Sequence, residues 1–178
     1  MTYRLPALAL IIAAITVPLA SAQTAKIESK SSMASSSTAR FDARFDANVA
    51  AALLAMQTRA GELKITGVAV LAYFDGDKPQ SWDSRMLVVG RMKDDAKGID
   101  KGSNLLGIAY AKASEMADTL KDSGSQVRPP MTGEFGWQGG VIVPCGSGYL
   151  IAAFSGGKSE DDVLVSRAGA EALAPRMK

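Results

Sequence analysis

Histidine is absent from all 178 residues, which removes the commonest general base and the commonest metal ligand at once. A Ser-His-Asp or Cys-His site is therefore excluded. The only cysteine is Cys145, so no disulfide framework can form within one chain; the thiol is a small packed side chain, a free thiol, an intermolecular bridge or a ligand atom. Two pairs of carboxylates stand side by side, Asp94-Asp95 and Asp161-Asp162. Neighbours in sequence point in different directions on a helix and make poor acid–base pairs. There is no CxxC, no P-loop and no dinucleotide fingerprint; Gly133-x-x-Gly136 and Gly146-x-Gly148 lack the strand and helix context such motifs need.

The chemistry that remains is that of a cleft built by glycines. Gly139 and Gly140 allow close approach of backbone, and Ser155-Gly156-Gly157 leaves amides ahead of a helix, where carboxylates and phosphates are attracted. Glu160, Asp161 and Asp162 compete for those same amides. Met131, Glu134 and Trp137 lie in the glycine-rich approach to the cleft, and Tyr73 ends an apolar strand. The candidate ligand-binding set is thus Met131, Trp137, Gly139, Gly140, Ser155, Gly156 and Gly157, with no catalytic residue assigned. Arg85 and Arg91, an even number of residues apart, are expected on one strand face, as a solvated face or a basic spot.

The elements that position these residues follow from periodicity. Val141–Val143 and Tyr149–Phe154 are short apolar runs around Pro144-Cys145-Gly146-Ser147-Gly148, a hairpin pattern. Ser159 with Asp162 reads as a capping box, and the acidic first turn suits the helix dipole. Val165, Ala168, Gly169, Ala172 and Leu173 then make one apolar stripe. Upstream, Phe45, Val49, Ala52, Leu53 and Met56 form a helical face ended by Gly61. Residues 65–74 are a dense apolar strand, Asp75 to Pro79 a turn and Trp82–Arg91 the returning strand. A charged connection, Lys93–Gly102, leads to a helix starting near Ser103 and carrying Leu106, Ala109, Ala113, Met116 and Leu120. Ser125–Gly136, with Pro129-Pro130, is irregular, the kind of loop in which binding residues sit. The order is helix, two strands, helix, two strands, helix. Hairpins around an antiparallel sheet with flanking helices give an α+β domain.

Residues 1–22 read as a cleaved signal peptide: Arg4 in a short n-region, a mostly apolar run from Leu5 to Leu19, and Ala20-Ser21-Ala22 as the small-residue site. The apolar run is shorter than a membrane span requires. Cleavage before Gln23 leaves 156 residues, one domain's worth, and removes only Arg4, leaving 19 basic against 18 acidic side chains. That balance argues against nucleic acid and against an anionic membrane surface. Residues 23–40, with six serines between Ser29 and Ser37, read as a linker, and residues 41–178 as the folded domain. The expected location is periplasmic or secreted.

Gly139-Gly140-Val141-Ile142, then Ser155-Gly156-Gly157, then Asp161-Asp162 and Ala168-Gly169-x-x-Ala172-Leu173 resemble the GlcG/HbpS-like family, also called the haem-degrading domain. Gln138 stands where that family usually has proline, and Asp161 where it usually has glutamine. The resemblance extends by element order back to about Phe45. It implies a profilin-like fold, a single antiparallel sheet of two hairpins with helices around it. It also implies binding of haem or a related small molecule, and a homo-oligomer, for which helix stripes 106–120 and 165–173 are the expected packing surfaces. Without histidine, a haem iron would have to take sulfur, oxygen, amine or water. Met131, Tyr73 and Cys145 are the donors considered, and weak, exposed binding by ring packing and propionate contacts is the expectation. No turnover machinery is visible. An exported ligand-binding protein is therefore the leading expectation, beside an enzyme acting on haem or a small organic acid and a structural oligomer-forming module.

Overall fold

A computed structural model describes residues 43–177; the segments expected to be a signal peptide (1–22) and a linker (23–40) lie outside the described residues. Helix α1 (residues 43–62) is followed by strands β1 (Gly67–Asp75) and β2 (Asp83–Val89). A two-stranded ribbon, β3 (Lys93–Asp94) and β4 (Ser103–Asn104), leads into α2 (Leu105–Thr119). Strands β5 (Gly140–Cys145) and β6 (Gly148–Ser155) and helix α3 (Ser159–Leu173) complete the chain, with a short 3-10 turn at Ala174–Arg176.

The domain is α+β, built on a four-stranded antiparallel sheet of order β2-β1-β6-β5. The two hairpins meet along β1 and β6, the central strands, where Val68 stands opposite Ser155 and Asp75 opposite Gly148. Because successive side chains alternate faces, β1 splits its buried residues between two cores. Ala69, Leu71 and Tyr73 face α1 and α3, packing with Phe45, Met56, Phe154 and Val165. Val68, Val70, Ala72 and Phe74 face α2, packing with Ile108, Met116 and Ile151. A strand buried on both faces reads as a continuous apolar run, which is why 65–74 shows no alternation. Gly169 sits in the middle of α3, where glycine costs about 1 kcal/mol relative to alanine. Met56 Cγ and Sδ lie 2.6 Å from where its Cβ would stand, so the glycine lets α3 close on α1.

The helical face expected from Phe45 to Met56 is buried along its length. Several other expectations need correction. Leu120, expected on the stripe of α2, lies just past its end: the helix stops at Thr119, because Leu120 turns left-handed (φ 53°) and its N–H closes onto Met116 O. The connection 93–102 contributes the β3–β4 ribbon, a second small sheet beside the main one. Arg85 and Arg91 do not share a strand face. Strand β2 ends at Val89, and Gly90 (φ 80°) bends the chain before Arg91. Arg85 pairs with Asp46 at 2.6 Å and Arg91 with Asp94 at 2.7 Å, so no basic spot forms. The hairpin turn is tighter than Pro144–Gly148: Cys145 pairs with Gly148, and only Gly146 and Ser147 lie between. Cys145 is accordingly buried, its thiol 3.9 Å from Ala174 O. The stripe of α3 is centred on Asp162, Val165, Ser166, Gly169, Ala170 and Leu173, with Ala168 and Ala172 at its half-buried margin. The stripes of α2 and α3 lie against the chain's own sheet.

Candidate functional site

The first unexpected feature is a lysine on the apolar face of α2. Ile108, Lys112 and Met116 follow one another at four-residue intervals and all three are buried. Lys112 Nζ donates to Asp162 Oδ2 at 2.9 Å and to Phe154 O at 2.8 Å. Both side chains of this ion pair are only 4% exposed. It ties α2 to the start of α3 across the end of β6.

Asp162 explains why the capping box does not form. The N-cap of α3 is Lys158, with no side-chain hydrogen bond. Asp162, one turn inside the helix, reaches back so that Oδ1 accepts from Gly157 N at 2.8 Å. The carboxylate occupies the position at the helix N-terminus that an external anion would seek. The Gly157 amide is therefore already satisfied from within, as the acidic first turn suggested.

Burial dominates the electrostatics of this pair. It pushes the Lys112 ammonium below its ordinary range and the Asp162 carboxyl above its own; the partner's charge and hydrogen bond oppose the shift in each case. Gly139 is fitted against the pair. Its φ of +138° is unfavourable to other residues, and a Cβ there would collide with Lys112 Nζ and stand 2.9 Å from Asp162 Cβ. Its carbonyl accepts from Ser166 Oγ at 2.7 Å and Phe154 N at 3.0 Å. Gly140 N donates to Ser123 Oγ at 2.8 Å.

A cavity of about 190 Å³ opens beside this arrangement, lined by Lys112, Asp162, Trp137, Ser155, Gly156 and Gly157 among others. Four of the residues expected from sequence thus come together there, with Gly139 and Gly140 behind the wall. Trp137 is half-exposed and stacks on Phe135, ring centres 4.8 Å apart. Met131 does not line this cavity; it is 56% exposed on a turn closed by Glu134 N to Met131 O. Glu134 is engaged with Arg128, which also holds Asp118, each at 2.6 Å. That contact holds the Glu134 carboxyl down to about 2. Tyr73 and Cys145 lie among the buried residues between the sheet and α1 and α3, away from this cavity. A wider depression of about 610 Å³ lies between the β1–β2 connection and α2, lined by exposed turn residues, Trp82 and Asp118. It holds no buried charged pair.

Sequence reasoning missed Lys112; it had Asp162 competing for the amides ahead of α3, as it does at Gly157, but paired it with Ser159 in a capping box rather than with Lys112. The available signal was a lysine at an otherwise apolar helical position, four residues from both Ile108 and Met116. Among the described residues no group of three or more Cys, Asp and Glu side chains is placed to hold a metal ion, and no helix is long and apolar enough to cross a membrane. The chain matches no protein-family model and no curated protein in the comparisons made.

Proposed function

We propose that the protein is an exported small-molecule-binding protein of the GlcG/HbpS-like type with a profilin-like fold, its ligand docking where Trp137 stands at the mouth of the Lys112–Asp162 cavity. The observation that carries this reading is the juxtaposition of a buried, hydrogen-bonded charged pair with a half-exposed aromatic stack, at four residues already suspected from the sequence. An ammonium has three N–H donors. Among the described residues Lys112 uses two of them, which leaves one for a ligand oxygen. The ligand class that fits is a planar molecule laid on Phe135 and Trp137, with an oxygen-bearing arm entering the cavity.

Haem as an enclosed cofactor with a protein ligand on iron does not fit these residues. At about 190 Å³ the cavity is smaller than the roughly 300–1,000 Å³ of pockets that enclose organic ligands. The sulfur donors are misplaced: Met131 is outside the cavity and Cys145 is buried near Ala174. A porphyrin held on the aromatic stack, with a propionate as the arm, is the form of haem binding compatible with the site. Titration of haem and of an iron-free porphyrin tests this. Comparable affinities for the two, each weakened about tenfold by Trp137→Ala, are expected. A sharp low-spin haem spectrum, or affinity indifferent to Trp137, overturns the reading.

A second reading has its own support, since a lysine lowered and a carboxylic acid raised by burial beside a cavity is a pattern found at acid–base sites. In that reading the protein is an enzyme acting on haem or a small organic acid. Product formation from either, lost in Lys112→Met while the variant remains folded, supports it.

A further inference from the structure

The two edges of the sheet are treated differently. In an antiparallel ladder every second residue directs its N–H and C=O toward one neighbour. Cys145 pairs with Gly148 across the two-residue turn, and Phe154 N donates to Gly139 O, so Gly140, Ile142 and Pro144 point outward on β5. Each of these is blocked. Gly140 N donates to Ser123 Oγ at 2.8 Å and Gly140 O accepts from Ser123 N at 3.3 Å. Ile142 N donates to Asp122 Oδ1 at 2.9 Å. Pro144 has no N–H. These are devices that stop a sheet from recruiting another strand.

On the opposite edge the same parity applies. Gly76 N donates to Ser147 O, which continues the β1–β6 ladder. The even residues of β1 therefore face β6 and its odd residues face β2. Through the register Gly67 to Val89, Leu71 to Arg85 and Tyr73 to Asp83, the outward residues of β2 are Ser84, Met86 and Val88. Among the described residues no strand, proline or capping side chain covers their amides. The Ser84 carbonyl accepts once, from its neighbour Arg85 at 2.9 Å, and keeps a second lone pair. Val88 is 39% exposed.

We propose that β2 is a self-association edge, on which β2 of a second copy of this chain adds in antiparallel register about a two-fold axis at Met86. The edge is its own complement. With Met86 opposite Met86 of the second copy, Ser84 falls opposite Val88 and Val88 opposite Ser84, so all three outward residues exchange N–H···O bonds in pairs. This register also sets Arg85 opposite Leu87 and Asp83 opposite Val89. A slip of two residues toward Asp83 would set Arg85 opposite Arg85, which like-charge repulsion disfavours. The product is an eight-stranded sheet whose outer edges are the two guarded β5 strands, so association closes at the dimer. The surface is distinct from the helix stripes of α2 and α3, which are occupied by the chain's own sheet, and it does not depend on what the cavity binds.

Residue 86 also provides the test. Its amide points away from β1, so Met86→Pro removes an inter-subunit donor and spares every β1–β2 hydrogen bond. Sedimentation across micromolar concentrations is expected to show a wild-type dimer, and the proline variant is expected to raise its dissociation constant about tenfold or more. Ile142→Pro, on the guarded edge, is expected to leave the dimer intact. Should the proline disturb the fold, Met86→Cys provides a second measurement. Opposed residues in a hydrogen-bonded pair have Cα atoms about 5.5 Å apart, within disulfide range, so oxidation is expected to give a covalent dimer. A monomer at all concentrations overturns the proposal. So does a dimer unaffected by a folded Met86→Pro variant, a dimer that Met86→Cys fails to cross-link, or a monomer that takes up an unrelated extended peptide on β2 instead of its own copy.

Discussion

Two ion-pair systems flank the same stretch of chain, and they obey opposite rules. Lys112 and Asp162 are dry, each side chain 4% exposed. The Arg128 cluster is wetter as a whole: the Arg128 side chain is 25% exposed and Asp118 58%, although Glu134 is only 7% exposed. In the first, desolvation outweighs attraction, so lysine is lowered and aspartate raised. In the second, hydrogen bonds from Arg128 and from Met131 N outweigh desolvation, and Glu134 drops to about 2 while Arg128 is raised. The contrast shows that the balance of desolvation against hydrogen bonds decides what a pair does: Glu134 is itself little exposed, but the Arg128 fork and the Met131 amide outweigh the cost. The dry pair specifies how α2 and α3 meet and leaves a polarised lysine beside a cavity. The wet cluster fixes the turn that carries Met131 and ties it through Asp118 to α2.

The largest effect is expected from splitting the dry pair. Asp162→Leu leaves Lys112 charged and buried, and it strips Gly157 N of its acceptor. A loss of about 3–5 kcal/mol of stability is expected for this kind of change, measured by denaturant unfolding. Lys112→Met with Asp162→Leu is expected to recover a large part of that loss, because neither charge is then stranded. Equal destabilisation in the single and double variants would show that the pair's coupling is not what matters here.

Gly139→Ala probes the same region through the backbone. The side chain would enter the space of Lys112 Nζ in a strained conformation, and a cost of about 2 kcal/mol is expected. The same substitution at Gly133, where nothing lies within 4 Å, meets only the positive φ and should cost less. A thermal melt of the two variants side by side checks the order.

The wet cluster should respond to pH rather than to packing. Glu134 has a folded-state pKa depressed to about 2, so its contribution is present above the ordinary carboxylate range and is lost as pH falls from about 4.5 toward 2. Hydrogen exchange at the Met131 amide, which donates to Glu134 Oε2 at 2.8 Å, should quicken over that window relative to neighbouring amides. Glu134→Gln should abolish the pH dependence with a smaller change in global stability than any variant above. Persistence of the pH dependence in that variant would assign it to another group.

Much of the fold was legible from local pattern. The apolar run 65–74, the hairpin of Val141–Val143 and Tyr149–Phe154 (though with a longer turn than the one that forms) and the stripe from Phe45 to Met56 each follow from side-chain period and turn chemistry, which act over a few residues. The clustering of Trp137, Ser155, Gly156 and Gly157 was legible for a related reason: glycine-rich segments beside strand and helix ends mark close backbone approach. Lys112 was not. On the sequence it is one charge among many, and Asp162 next to Asp161 looks like a helix cap. Their meeting, 50 residues apart, depends on β6 bringing α2 and α3 to the same end of the sheet. The difference between the two sheet edges is equally non-local. Nothing in Asp122-Ser123 announces that these side chains guard β5, and nothing in Asp83–Val89 announces an edge that no other described residue covers. The sequence by itself determined the elements and their apolar faces, because periodicity and turn propensity are local; only the tertiary structure decided which charges are dry and which sheet edge the described residues guard, because burial and hydrogen-bond satisfaction depend on what the rest of the chain places alongside.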